Sequence, residues 1–329
     1  MPTLLVNSRM DPMLAARVEA SVAGRRGGST RSRASKRLVS VLRLGLVVGL
    51  VVLASTIYWS RRARQLEFER QRTGLVDAWR KHSEGLSNIA LDFSNRVEGL
   101  LAGATGDYGG DLVGSELTGG EFSKNLSRRW LYVRGPLASF QTSVGLRKSA
   151  SESGRDAFLL CLLDPPPSAS EKAYLPKARL ALEGGRAAHQ LSAQFYRLQD
   201  LEAGLPYLSA GWGEQVRAAK EPSVLMRLER ESKRAPLSAT KEALAAERLL
   251  AVFDEPNDAG GVTEMDGEHA HGVRVLMWDL TANKLLLKFR TKVDPAWITP
   301  NRRSQYAREL DSCKLAVAVR DYVNEIRRP

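Results

Sequence analysis

An acidic loop with two histidines contains the residue types that could hold a metal ion. Residues 254–272 read DEPNDAGGVTEMDGEHAHG and place His269 and His271 two positions apart. If residues 268–272 are extended, both imidazoles point to one side, and Glu268 supplies a carboxylate as a third ligand for a transition metal. The spacing does not fit a calcium loop, because no glycine occupies its sixth position. An acidic surface loop without a metal explains the same residues, and it is the preferred interpretation.

Two aspartates that follow apolar runs are the candidates for hydrolytic chemistry. Asp164 follows FLLCLL at 158–163, and Asp254 follows LLAVF at 249–253. Both runs are typical of strands covered on two faces, so their carboxyl ends could bring the two carboxylates together for acid–base work. The sequence contains no P-loop, no G-x-S-x-G, no H-E-x-x-H and no paired C-x-x-C. We therefore assign no catalytic residue and no cofactor, and keep a hydrolase that uses these aspartates as the alternative.

Cys161 and Cys313 are the two cysteines of the chain. An even count permits one disulfide in an oxidising compartment, whereas two buried thiols need no partner in a reducing one. Cys161 lies within an apolar run with no histidine near it in sequence, which argues against a catalytic thiol. We predict a disulfide between the two.

One apolar segment near the amino end is long enough to cross a bilayer. Residues 44–59 read LGLVVGLVVLASTIYW without a charge, and extension through Arg43 gives a span over residues 38–59. Tyr58 and Trp59 occupy the end of the run, where interfacial aromatic residues are expected. The run is followed by SRRAR rather than by a cleavage site, so we predict an uncleaved signal-anchor and a single-pass protein.

The positive charge of the chain is concentrated before this span. The formal net charge is +12, and residues 1–43 carry nine Lys or Arg against two acidic residues. Basic residues beside a membrane hold topology or contact anionic lipid, so residues 1–37 are predicted to be a flexible cytoplasmic tail and no nucleic-acid partner is expected. Positive charges immediately flanking the span are equal in number, but a strongly basic short tail translocates poorly. The C-terminal domain is therefore expected outside the cytoplasm.

Residues 60–102 are predicted to form an amphipathic helix on the membrane side of the protein. Its apolar seam repeats at helical spacing through the following positions: Leu75, Trp79, His82, Leu86, Ile89, Phe93, Val97 and Leu100. The seam fits a stalk or coiled coil that self-associates, and it also fits a helix packed on its own domain. Seven glycines in residues 103–120 then predict a flexible linker.

The distal domain, residues 121–329, is predicted to be α+β with a small sheet. Apolar runs predict strands at 130–133, 158–163, 249–253, 273–280 and 285–293, the last two as a hairpin. Caps and periodicity predict helices at 168–182, 187–203, 213–234 and 238–248, and from Pro300 toward the carboxyl end. Pro222 is a point where the third of these could break, and the segment after Cys313 fits a strand as well as the preferred helix.

This layout predicts a membrane-anchored protein of a bacterial cell envelope. Its extracytoplasmic domain is expected to be a non-enzymatic interaction or sensor-like domain. Its partners are expected to be the lipid bilayer and either an envelope protein or a second copy of the chain, through the amphipathic helix. An inverted arrangement with a cytoplasmic domain predicts free thiols instead.

Overall fold

The structure is a computed structural model that describes residues 33–118, 121–154, 156–184, 188, 190, 192–257 and 269–326. The helices of this part are α1 (Arg33–Ser83), α2 (Ser87–Gly103), α3 (Glu121–Leu126), α4 (Ser143–Glu152), α5 (Ala157–Leu163), α6 (Glu171–Glu183), α7 (Leu198–Leu208), α8 (Ala210–Ala218), α9 (Pro222–Arg234), α10 (Leu237–Leu244) and α11 (Pro300–Glu325). The strands are β1 (Leu112–Val113), β2 (Trp130–Pro136), β3 (Phe195–Arg197), β4 (Arg248–Asn257), β5 (His271–Asp279) and β6 (Lys284–Val293).

The chain divides into two compact units between Glu69 and Arg70, and we call residues 70–329 the head. Within the described part of the head, the strands form one mixed sheet in the order β1-β6-β5-β4-β2-β3. β2 pairs in parallel with β3 and β4, and the other neighbours are antiparallel. This confirms the predicted combination of helices with a small sheet. The parallel pairing of β2 with β4 also places Pro136 opposite Asp254.

Helices cover both faces of this sheet. Alternate residues of the strands point to opposite faces, so Tyr132 and Val252 pack on one side and Val133 and Phe253 on the other. The first face is covered by α5, α6 and α11, and the second by α2, α4, α7 and α10. The head is therefore a three-layer sandwich in which the sheet is buried on both sides.

The predicted membrane-spanning segment lies within α1. Among the described residues, one helix is long and apolar enough to cross a membrane, over Leu44–Ser83. The side chains of residues 44–59 are all exposed. A single apolar helix is thus present where the sequence predicts one, while its membrane crossing and its orientation stay predictions. Residues 1–32 of the predicted tail lie outside the described residues.

The predicted amphipathic helix is interrupted once. α1 continues through Ser83, and α2 begins at Ser87 after Gly85, whose φ of 73° is open to glycine. Phe93 and Val97 of the predicted seam are 4% and 1% exposed in the core of their own chain. In this part of the seam, the helix packs on its own domain, which is the second of the two predicted arrangements.

The glycine-rich segment contributes to the head. Leu112 and Val113 form β1, which pairs with Lys288 and Leu287 of β6. Leu117 follows in a short 3-10 helix and is fully buried. This part of the segment is therefore fixed on the sheet, and Gly119 and Gly120 lie outside the described residues.

The strand predicted at 158–163 is wrong, because these residues form α5. Asp156 caps the helix by accepting a hydrogen bond from the Leu159 amide at 3.3 Å. Sheet and helix neighbours bury residues 157–162 on all sides, so the helix shows no polar face that would reveal its period.

The helix predicted over 187–203 is also wrong in part. Residues 195–197 form β3, because the chain pairs there with β2 before α7 begins at Leu198. The segment predicted as helical over 213–234 forms two helices, α8 and α9, and the break lies before Pro222, the residue at which the sequence allowed one. The predicted strands at 130–133 and 249–253, the hairpin and the helix from Pro300 are confirmed.

Candidate functional site

A buried ionic cluster lies where β2, β4 and β5 approach the amino end of α5. Arg134 of β2 donates from Nε to Asp254 Oδ2 at 3.0 Å and from Nη2 to Asp254 Oδ1 at 2.9 Å. The Arg134 side chain is 7% exposed and that of Asp254 is fully buried. This bidentate pair exists because the parallel register sets β2 beside β4, 120 residues later in the chain.

Two further side chains complete the surroundings of Arg134. Its Nη1 donates to Asp156 Oδ2 at 3.2 Å and to the Ser312 hydroxyl at 2.6 Å. Tyr132 donates to the same Asp156 oxygen at 2.8 Å, and Ser312 donates to the Arg308 carbonyl at 2.5 Å. We use the name ionic cluster for Arg134, Asp156, Asp254, His271 and Ser312.

His271 joins this cluster with both ring nitrogens engaged. Its Nε2 lies 3.3 Å from Asp254 Oδ1, and its Nδ1 lies 2.9 Å from the His269 carbonyl oxygen. Both partners accept hydrogen bonds, so the doubly protonated ring fits this environment best. Burial acts to lower the pKa of His271, but the bonds to Asp254 and the His269 carbonyl outweigh it and raise that pKa.

Asp254 is held in its charged form by the same contacts. Burial acts to raise the pKa of this carboxyl, but the charge of Arg134 and the bonds from His271 and Arg134 outweigh it and lower the pKa to about 2. Both carboxylate oxygens are therefore used inside the protein.

Among the described residues, the candidate metal ligands His269 and His271 do not form part of a metal site. His271 is buried, and both of its ring nitrogens lie against acceptor oxygens, whereas a metal needs a ring nitrogen that is open to it. His269 is exposed and contributes its backbone carbonyl, and Glu268 lies outside the described residues. Within residues 33–257 and 269–326, apart from the short gaps named above, no group of three His, Cys, Asp or Glu is arranged to hold a metal ion.

Asp164 and Asp254 occupy different environments. Asp164 follows α5, has a 63% exposed side chain and pairs with Lys177. Asp254 is fully buried in the ionic cluster. The sequence placed both at the ends of strands, but the residues before Asp164 form a helix, so the expected common edge does not arise.

α11 adds two buried carboxyls that sequence reasoning missed. Glu309 accepts a hydrogen bond from the Ala157 amide at 2.7 Å, and burial together with the charge of Asp156 raises its pKa. Asp311 accepts from Trp297 Nε1 at 2.6 Å, and burial raises its pKa. Glu309, Asp311 and Ser312 point in different directions around the helix, so no apolar face of the sequence marked these carboxyls as buried.

Glu202 of α7 is a further carboxyl with a shifted pKa. Burial and the nearby charge of Glu98 on α2 raise its pKa to about 7, while Arg147 acts in the opposite direction. Ser143 donates to Glu98 at 3.1 Å, which supports the charged form of that neighbour. Glu202 therefore takes up a proton near neutral pH.

Three seam residues of α1 line a cavity of about 410 Å³ in the head. Leu75, Trp79 and His82 form one wall, and Tyr207 and Trp212 form part of the opposite wall. The Trp79 ring lies so close to Gly213 that a Cβ there would come within 2.6 Å of it. The predicted seam thus faces helices of its own head over this stretch.

Cys161 of α5 and Cys313 of α11 are joined by a disulfide with Cα atoms 5.2 Å apart. Both side chains are fully buried. The bridge connects the helix that Asp156 caps with the helix that carries Ser312, so it stabilises the two elements behind the ionic cluster.

We expect the head to be most stable at mildly acidic pH. The raised pKa of His271 gives stabilisation that is complete below its unfolded pKa of about 6.5 and is lost as the pH rises through its folded pKa. The raised pKa values of Glu309 and Asp311 act in the same direction. The unfolded chain releases these protons at pH ~4, whereas the folded chain releases them only at a higher pH. Asp254 acts oppositely, and its stabilisation is lost as the pH falls toward about 2.

The measurement is the thermal unfolding midpoint of the full chain against pH. His271→Gln should flatten the loss of stability above pH ~6.5, because the substituted side chain no longer releases a proton there. His269→Gln is the matched control, since it changes an exposed side chain and keeps the carbonyl that His271 contacts. Equal slopes in the wild type and His271→Gln would contradict the assignment.

The head is thus a three-layer domain of helices around one small mixed sheet, with one disulfide, and it follows an exposed apolar helix in the chain. Comparison of the chain with protein-family models, curated proteins and solved structures gives no match.

Proposed function

We propose that this chain is a single-pass membrane-anchored protein whose head is a non-enzymatic interaction or sensor-like domain outside the cytoplasm. The observation that carries the proposal is the apolar helix over residues 44–59, whose side chains are all exposed. Exposed apolar surface costs about 25 cal/mol per Å² in water, and a bilayer removes that cost. The same segment carries no charge, as a helix centre in lipid requires.

Two features support an extracytoplasmic head. The basic residues before the span favour an N-terminus that stays in the cytoplasm. The buried disulfide between Cys161 and Cys313 fits an oxidising compartment of a cell envelope.

The state of the acidic groups supports binding rather than hydrolysis. An enzyme that used Asp254 would need to present this carboxylate to substrate, yet it is fully buried with both oxygens bonded. Asp164, the other carboxylate of the hydrolase alternative, is exposed and paired with Lys177. Such buried ion pairs position elements of a fold and respond to proton concentration, as a sensor-like domain requires.

We expect the full chain to sediment with membranes and to resist extraction at alkaline pH, because its apolar helix inserts in the bilayer. The test is ultracentrifugation of a detergent-free lysate, with and without carbonate washing. Deletion of residues 44–59 should move the chain to the supernatant, and a fusion at Pro329 to a reporter active only after export should be active. A soluble full-length chain would contradict the anchor, and activity of a cytosol-only reporter at Pro329 would contradict the orientation.

A further inference from the structure

A second cavity of the head, of about 300 Å³, lies between α2 and the neighbouring strands β5 and β6. Leu276, Trp278 and Leu285 provide an apolar wall, and Leu100 of α2 faces the same space. The volume is at the lower end of the range for ligand sites. A small molecule, rather than a peptide or a protein, fits such a space.

Three cations surround one aromatic ring beside this cavity. The ring of Tyr108 lies 4.8 Å from Lys288 Nζ, 5.4 Å from the Arg274 guanidinium carbon and 5.6 Å from that of Arg290. Arg274 and Arg290 are directly opposite each other on β5 and β6, and Lys288 is opposite Leu276. Like charges opposite each other destabilise a sheet unless anions compensate them.

The described carboxylates beside these cations include Glu255 and Asp111, and Asp111 bonds the Tyr108 hydroxyl and the Arg290 backbone amide rather than Lys288. Glu255 accepts from Arg274 through Oε1 and from Arg290 through Oε2 at 2.6 Å, so a single carboxylate serves two guanidinium groups. Arg274 is 8% exposed and also donates to the Gly106 carbonyl at 2.6 Å, which fixes it at the cavity wall. Lys288 is half-buried, lines the cavity and forms no ion pair with a carboxylate of the described residues.

We propose that this cavity binds a small amphipathic carboxylate. The carboxylate is held by Lys288 with Arg274 beside it, and the apolar or aromatic body packs on Trp278, Leu276 and Leu285. A half-buried ammonium without a counter-ion gains a charge-assisted hydrogen bond from such a ligand. This inference concerns the head alone and does not depend on the membrane anchor.

Asp107 is the remaining charged residue of the lining and is exposed at the cavity. It would repel a simple organic acid, and it would attract the ammonium group of an apolar amino acid. Both kinds of ligand carry a carboxylate on an apolar body, and the substitution Asp107→Asn distinguishes between them. The substitution should tighten binding of an organic acid and weaken binding of an amino acid.

The full chain in lipid nanodiscs should bind 3-phenylpropanoate or phenylalanine, with a Kd on the order of 0.1–1 mM. The readouts are calorimetry and ligand-observed NMR, with empty nanodiscs as the blank for partition into lipid. The neutral 3-phenylpropanamide should bind about tenfold more weakly or worse, because it cannot satisfy the ammonium charge. Acetate, which has no apolar body, should also bind more weakly.

Two variants test the site without disturbing its ion pairs. Lys288→Gln should weaken the binding of 3-phenylpropanoate about tenfold and leave the binding of 3-phenylpropanamide unchanged. Gly99→Leu should abolish binding of both, because a Cβ at this cavity residue meets nothing within 4 Å and the leucine fills the space. Leucine also favours a helix more than glycine does, so this variant is expected to fold.

The matched control is Lys284→Gln on the same strand, whose ammonium pairs with Glu116 on the surface away from the cavity. It should leave binding unchanged. The proposal is overturned if neither carboxylate binds above the blank, if the amide binds as tightly as the acid, or if Lys284→Gln weakens binding as much as Lys288→Gln.

Discussion

Replacement of Arg134 by methionine is expected to lower the free energy of unfolding of the head by about 3–5 kcal/mol. The variant leaves Asp254, which is fully buried, and Asp156, which is 5% exposed, without the cation that both contact. Asp254 keeps its contact with His271, and Asp156 keeps the Tyr132 hydroxyl, but the guanidinium group that pairs with both is lost while the cost of keeping them out of water stays. Denaturant unfolding of the full chain in nanodiscs, followed by tryptophan fluorescence, measures the change.

The matched control is Arg128→Met, which removes a cation from an exposed pair. Arg128 contacts Glu247 at 2.8 Å, but the two side chains are 50% and 35% exposed, so water screens the interaction. The expected loss is about 0–1 kcal/mol. Arg134→Lys should fall between the two, because an ammonium keeps the charge but cannot make the bidentate contact with Asp254. Equal losses for Arg134→Met and Arg128→Met would contradict the role of the ionic cluster.

The loss caused by Arg134→Met should also shrink in acid. Without Arg134, burial dominates at Asp254, and its pKa is expected to rise above the wild-type value of about 2. Protonation then removes a buried charge that has lost its guanidinium partner, so the variant and the wild type should differ least at low pH. A difference that stays constant across the pH range would indicate lost packing rather than an unpaired charge.

The strands of the sheet were predictable because their apolar patterns are local. Residues 249–253 form an unbroken apolar run, and residues 273–280 and 285–293 are separated by Asn283, whose φ of 50° suits the turn. The helix after Thr299 was predictable for the same reason, since Pro300 marks its first turn. Each of these signals lies within about ten residues of the element that it predicts.

The ionic cluster could not be predicted, because it depends on pairing between distant segments. Arg134 lies 120 residues from Asp254 and 178 residues from Ser312. Nothing in the sequence specifies that β2 lies in parallel beside β4, or that residues 157–163 form a helix whose cap reaches Arg134. Sequence reasoning did single out Asp254 and His271, but for hydrolysis and for metal binding. The sequence shows that these two residues are polar, but it does not show that they contact each other.

The residues of the cationic face beside Tyr108 could have been predicted from the alternation of side chains along β5 and β6. In β5, Arg274 alternates toward the same face as Leu276 and Trp278, and in β6 Lys288 and Arg290 alternate likewise. The register between the strands, which the sequence leaves open, brings the three cations together. A search for charged residues in alternate positions of predicted strands would therefore have identified the residues but not the cavity.

Removal of the disulfide is expected to be the second large loss of stability. The double variant Cys161→Ala with Cys313→Ala opens a covalent loop across a sequence separation of 152 residues. Loss of so long a cross-link costs about 2–5 kcal/mol, because the unfolded chain regains conformational freedom. Since both cysteines are fully buried, the small cavities left by the missing sulfur atoms add to the loss.

The decisive comparison is between reduction of the wild type and the double variant. When a strong reductant is present during denaturant unfolding, the free energy of unfolding of the wild type should fall toward that of the variant. The free energy of unfolding of the variant should be the same with and without the reductant. Because the bridge joins α5, which Asp156 caps, to α11, which carries Ser312, the effects of Arg134→Met and of the double variant should not be additive. Additive losses would show that the bridge and the ionic cluster stabilise the head independently. A thiol-reactive polymer that labels the denatured, unreduced chain from cells would contradict both the bridge and an oxidising location.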